Sequence, residues 1–149
     1  MKRFFLIFLM IGLLGCSAIT AVNQRSYIDV KLIGVWEGEY VEESGTVKRW
    51  TQTRNADGTY TIDFSFTGLN GTVKNFTESG KWWIKGGLFY EVALPQEGRP
   101  DKYQYFFKKK ECVSFVLVES DELAEGSGNY EFSECLVTDS PPATIGGSI

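Results

Sequence analysis

A chain of 149 residues that contains no histidine lacks the side chain most used for proton transfer near neutral pH, which excludes Ser-His and Cys-His catalytic pairs. Carboxylates are the remaining acid–base candidates. Glu37 and Glu39 in "GVWEGEY" stand two residues apart and share one face of a strand. That face is the solvated one in the pairing derived below, so they read as an acidic edge and not as a catalytic dyad. The acidic run "ESDELAEGSG", from Glu119, lacks the spaced Asp, Asn and Gly order of an EF-hand calcium loop. Three cysteines without histidine do not make a zinc set. Lys108, Lys109 and Lys110 suit lipid phosphates, although a solvated hairpin turn is the simpler reading. The expectation is a protein that binds without catalysing and uses neither cofactor nor metal. Its chemistry would rest on aromatic rings, at 15% of the chain enough to line or fill a small barrel, and on two charges, Arg49 and Glu78.

The N-terminus indicates where such a protein works. "MKRFFLIFLMIGLLGCSAIT" sets Lys2 and Arg3 before an apolar run that ends in small residues, the order of a cleavable secretion signal. The run is shorter than the roughly 20 apolar residues that span a bilayer as a helix. Leu13-Leu14-Gly15-Cys16 resembles the lipobox of bacterial lipoproteins. The resemblance implies a signal peptide over 1–15, acylation of Cys16, and attachment to the membrane through that lipid; Ser17 in place of an aspartate favours the outer membrane, facing the periplasm. Removing 15 of 149 residues leaves 134, enough for one domain with a real core, with 13 basic and 19 acidic side chains. This balance argues against nucleic acid as a partner. Cys112 and Cys135 are then the thiols left, in a compartment where disulfides persist, and they are expected to pair.

Residues 16–31 lack a sustained period and read as an acylated tether, 32–138 as the barrel domain, and 139–149 as a disordered tail rich in Pro and Gly. Within the domain, short runs of Val, Thr, Tyr, Phe and Trp are closed by seven turn signals, among them Ser44-Gly45, Asn55 to Gly58 and Asn70-Gly71. Eight strands without crossover helices predict an all-β fold, an antiparallel eight-stranded up-and-down barrel. Residues paired across a ladder share a face. A four-residue Asn55 to Gly58 loop pairs Thr53 with Tyr60, and a two-residue Ser44-Gly45 turn pairs Arg49 with Tyr40. Trp36, Gly38, Tyr40, Arg49, Tyr60, Ile62, Phe64 and Phe66 then point inward and Trp50 outward. A bulge at Gly68 pairs Phe66 with Phe76, Phe64 with Glu78 and Tyr60 with Trp82, so that Arg49 and Glu78 flank Phe64 as an interior ion pair or as the seat of a ligand's polar head. The fifth strand stays open between Phe89, Glu91, Ala93 and the more apolar Leu88, Tyr90, Val92, Leu94. Tyr103, Tyr105 and Phe107 with Val113, Phe115 and Leu117 form the next inner face. Setting Cys112 opposite Cys135 pairs Phe115 with Phe132 and Leu117 with Tyr130.

"GVWEGEY", with Gly34 and Trp36, is similar to the Gly-x-Trp that opens the first strand of lipocalins, and "NADGTYTI" and "SGKWWIKGGLFYEV" look like hairpins of small bacterial members. Lipocalins usually carry an arginine near the end of the barrel that packs on this tryptophan, and this chain has none after Arg99. The resemblance implies a non-catalytic binder of a small hydrophobic or amphipathic, lipid-like molecule, held against Trp36, Tyr40, Arg49, Ile62, Phe64, Phe66, Glu78 and Trp82. The alternative is a protein-binding or envelope-stabilising lipoprotein with a filled core. "SGKWWIKG" is similar to a segment of the membrane-bound lysozyme inhibitors, and Trp50 and Trp83 would then be its contacts.

Overall fold

The computed structural model describes residues 25–95, 98–109, 111–120 and 130–138; the signal and Cys16, the tail 139–149 and most of the acidic run after Glu119 lie outside the described residues. Eight strands follow one another: β1 (Gly34–Val41), β2 (Val47–Arg54), β3 (Thr59–Thr67), β4 (Val73–Lys85), β5 (Leu88–Ala93), β6 (Asp101–Lys109), β7 (Cys112–Glu119) and β8 (Glu131–Leu136). Each pairs antiparallel with the next, and β8 returns to β1, closing the barrel. Closure leaves no sheet edge to template further pairing. Upstream of β1, Tyr27 bridges Ile84 and a 3-10 turn, Val30–Leu32, is capped by Asp29. The described end of the segment read as a tether thus lies against the barrel.

Three hairpins share one turn. Glu42, Asn55 and Gly68 each donate the backbone N–H to the carbonyl of a threonine four residues on and accept from the N–H of a glycine three residues on. Gly45, Gly58 and Gly71 hold φ of 82°, 81° and 78°, a left-handed conformation that closes a three-residue loop and that other residues adopt at a cost. In each loop the residue before the glycine (Ser44, Asp57, Asn70) accepts a hydrogen bond from the threonine N–H, at 3.2, 2.9 and 3.0 Å. The local signature is therefore Ser/Asp/Asn-Gly-Thr, repeated at a spacing of thirteen residues.

These loops correct the expected registers. The first two are each three residues long, where two and four were expected, so Tyr40 pairs with Lys48 and Tyr60 with Arg54. One slip of one residue turns β2 over, and the second restores β3. Arg49 faces solvent, bonded to Glu39 at 2.7 Å, and Trp50 lies inside. The third loop pairs Phe64 with Phe76 and Tyr60 with Gly80, two residues from the expected register, which keeps Glu78 and Trp82 inward. In β5 the inward set is Phe89, Glu91 and Ala93, since Ile84, Trp82 and Gly80 oppose them. Tyr90 faces out and stacks on Trp83 at 5.5 Å. At the last hairpin Cys112 and Cys135 pair and form a disulfide, with Phe115 opposite Phe132 and the Leu117 N–H donating to the Tyr130 carbonyl, as the sequence predicts.

Two strand glycines make room for rings. Gly38 lies opposite Trp50 and Gly80 opposite Tyr60, and a methyl group on either would overlap the ring laid across it. By contrast, a methyl on Gly71 would meet nothing within 4 Å. Gly71→Ala should thus cost only the left-handed backbone preference, about 1 kcal/mol, whereas Gly38→Ala must displace the indole and should cost about 2 to 3 kcal/mol. Denaturant unfolding of the two variants measures that order.

Candidate functional site

The barrel is filled in one half and hollow in the other. The filled half is built on Trp36, 1% exposed, whose Nε1 donates to the Leu32 carbonyl at 2.9 Å and so ties the indole to the 3-10 turn that crosses this end. Leu32, Ile84, Phe89, Val113 and Phe115 complete the plug, with the Trp82 ring stacked on Phe89 at 5.9 Å. Trp36 and Trp82 accordingly seal the barrel and do not line its cavity, although the sequence placed both among the ligand contacts.

Above the plug lies a belt of hydrogen-bonded polar groups. Arg54, 1% exposed, comes in from the end of β2 and forms an ion pair with Glu134 of β8, while its other terminal nitrogen donates to Gln52 Oε1 at 2.7 Å. The guanidinium carbon lies 5.1 Å from the Phe89 centroid, 5.2 Å from Phe115 and 5.9 Å from Trp36, within reach of cation–π attraction. An arginine does pack on Trp36, then, but it is supplied by the second strand. Trp50 Nε1 donates to the second Glu134 oxygen at 3.2 Å, and Gln52 Nε2 to Glu91 at 3.4 Å. Neither Arg54, Gln52 nor Glu134 was singled out from sequence. The signal that could have found Gln52 and Arg54 is Gly38: a glycine inside a strand calls for a ring across it, and Trp50 is the aromatic of β2, whose inward partners are then Lys48, Gln52 and Arg54.

Beyond the belt is a cavity of about 670 Å³. Tyr40, Trp50, Tyr60, Ile62, Phe64, Tyr103, Leu117, Tyr130 and Phe132 supply its apolar walls; Glu42, Lys48, Gln52, Glu78, Glu91, Arg99 and Asp101 supply its polar groups. Glu42, Pro95, Arg99 and Ser120 come from the chain after β1, β5 and β7, which places the mouth at the end opposite the 3-10 turn. Of the residues predicted to touch a ligand, Tyr40, Ile62, Phe64 and Glu78 meet here; Phe66 packs behind Phe64, at 6.0 Å between ring centroids, and Arg49 is on the outside.

Burial sets the protonation of these groups. Tyr60 donates to Glu78 at 2.7 Å, and burial, with Glu91 adding to it, drives its hydroxyl well above the ordinary phenol range. Burial likewise raises Tyr103, and takes Tyr130 up to about 12. All three remain neutral donors at physiological pH. Burial pushes the Glu91 carboxyl up to about 7, with Arg54 opposing and Glu134, Asp101 and Glu78 reinforcing.

Breaking a buried pair strands a charge, at about 3 to 5 kcal/mol, so Arg54→Ala or Glu134→Ala should each lose stability on that scale. The double replacement Arg54→Met, Glu134→Leu should lose far less in denaturant unfolding. For Glu91, the folded carboxyl at about 7 lies above the ordinary 4.5, so the folded state holds a proton that the unfolded chain has released. Its contribution to stability falls as pH rises from about 4.5 to about 7 and is level beyond. Glu91→Gln should remove that slope and exceed the wild type in stability at pH 8 by about 2 kcal/mol, read from unfolding curves across pH 5 to 8.

No protein-family model matches the chain, and neither a curated protein nor a solved structure is significantly similar to it. The geometry establishes a closed, all-antiparallel, eight-stranded barrel compatible with a lipocalin-like fold.

Proposed function

We propose that this protein is a non-catalytic, lipocalin-like binding protein, held at the bacterial outer membrane by acylated Cys16 on its periplasmic side, that takes a small amphipathic molecule into the open half of the barrel. The observation that carries this reading is the cavity of about 670 Å³ above a sealed plug. Its size and aromatic walls are those of small-molecule sites, and seven charged or amide side chains stand among them. The described chain enters at the plugged end, where Tyr27 bridges Ile84, so a lipid on Cys16 would tether that end and leave the mouth directed away from the bilayer. The ligand then arrives from the aqueous side.

A second reading, a module that binds another protein, draws on the tip of the β3–β4 hairpin, where Leu69 is 83%, Val73 55% and Phe76 54% exposed. The two readings separate in one experiment. Titration with the neutral fluorescent probe N-phenyl-1-naphthylamine should give saturable one-to-one binding to the wild type, and a folded Ala93→Phe variant, which puts a ring into the cavity, should lose about tenfold or more in affinity. Absence of saturable binding by the folded wild type would remove the small-molecule reading and leave the hairpin tip.

A further inference from the structure

The cavity's charge indicates what kind of amphiphile it takes. Four carboxylates line it (Glu42, Glu78, Glu91, Asp101) against two cations, Lys48 and Arg99. Lys48 lies with its Nζ 4.6 Å from the Phe64 centroid and 5.9 Å from those of Trp50 and Phe66, so a cation over these rings is already an arrangement the wall supports. The deepest interior cation, Arg54, is held by Glu134 and Gln52. Glu78 accepts from the Tyr60 hydroxyl and Glu91 from the Gln52 amide. Both donors are neutral, and their hydrogen bonds orient the carboxylates without cancelling their charge. The same walls contain the rings of Tyr40, Tyr60, Tyr103 and Tyr130, and the face of an aromatic ring attracts a desolvated ammonium.

On these grounds, and resting on the binding reading above, we infer that the ligand is an organic cation: an amine or quaternary ammonium with an apolar body, its charge seated between Glu78 and Glu91 and its body against the aromatic wall. A metal ion is the poorer fit, because among the described residues no three Asp, Glu or Cys side chains converge as a ligand set. An anionic amphiphile, which an inward Arg49 would have welcomed, meets repulsion from these carboxylates instead. Glu91 is faced by Gln52 and Arg54 from β2, Tyr60 from β3, Glu78 from β4, Asp101 and Tyr103 from β6, and Glu134 with the nearby Tyr130 at β8. In this company its carboxyl takes up a proton near neutrality, so occupancy by a cation should weaken as the pH falls below about 7.

Calorimetric titration of the full mature chain with decyltrimethylammonium, decyl sulfate and decanol, all below their micellar concentrations, tests the inference. At pH 8 the ammonium should bind about tenfold tighter than decanol, and the sulfate about tenfold weaker than decanol. The preference of ammonium over decanol should shrink severalfold at pH 5.5. Glu78→Gln and Glu91→Gln, checked for native folding by circular dichroism, should each lower the ratio of ammonium to decanol affinity about tenfold. Equal binding of ammonium and sulfate, tighter sulfate, or an unchanged ratio in both variants would overturn the cation inference while decanol binding leaves the small-molecule reading standing. Failure of all three probes with the folded wild type would remove both.

Discussion

The buried ion pair between Arg54 and Glu134 is the interaction on which both halves of this barrel depend. It spans from β2 to β8, the two neighbours of β1, so it forms only when the barrel is closed. Its cationic side rests against Phe89, Phe115 and Trp36 of the plug, and its anionic side receives Trp50, which belongs to the cavity wall. A pair in this position is weak evidence of net stability, because desolvation offsets most of the attraction. What it does is impose one arrangement: any strand slip that turns Arg54 or Glu134 outward, or separates them, leaves a charge without a partner. Gln52 carries the same constraint onward to Glu91 and so to the floor of the cavity.

Local chemistry prepares that arrangement. The repeated Ser/Asp/Asn-Gly-Thr turns specify three-residue loops, and each loop sets the pairing of its two strands to the residue. Gly38 beneath Trp50 and Gly80 beneath Tyr60 then act at longer range, since each accepts a ring from the neighbouring strand in one register only. Turn geometry, glycine placement and the buried pair all require the same alignment, and this agreement between levels is what lets a sequence select a single fold.

The two halves differ in chemistry as well as in packing. Below the belt the interior is aromatic and aliphatic and is closed by Leu32 and the Trp36 indole bonded to it. Above it, rings alternate with carboxylates and hydroxyls around open space. A solid barrel and a hollow one are often treated as alternatives; here a single interior is divided, with the polar belt as the boundary. The division gives the binding reading a floor and a mouth. The acidic character of the wall, together with neutral phenols that can donate but not ionise, gives it a preference of charge.

Strand number, antiparallel order, closure and the inward face of β3 follow from period-2 alternation and turn residues, because those signals are local. The pairing of Cys112 with Cys135 rests on the lipobox resemblance, which sets Cys16 aside, and the inward face of β1 comes out right because two loop lengths, each off by one residue, cancel. The same signals left the face of β2 wrong by one residue. Its apolar content is nearly confined to Trp50, so alternation had little to say, and loop length decided alone. In β5 the more apolar set faces out and Glu91 faces in, because Trp82, Ile84 and Gly80 on β4 dictate the choice, and their positions depend on partners distant in sequence. By itself, therefore, the sequence determined the barrel and its covalent staple. Only the tertiary structure decided that Arg54 and Glu134 meet, that Trp36 seals one end, and that the other end stays open and acidic, since a buried charge or a cavity is defined by side chains from several strands converging at one point in space.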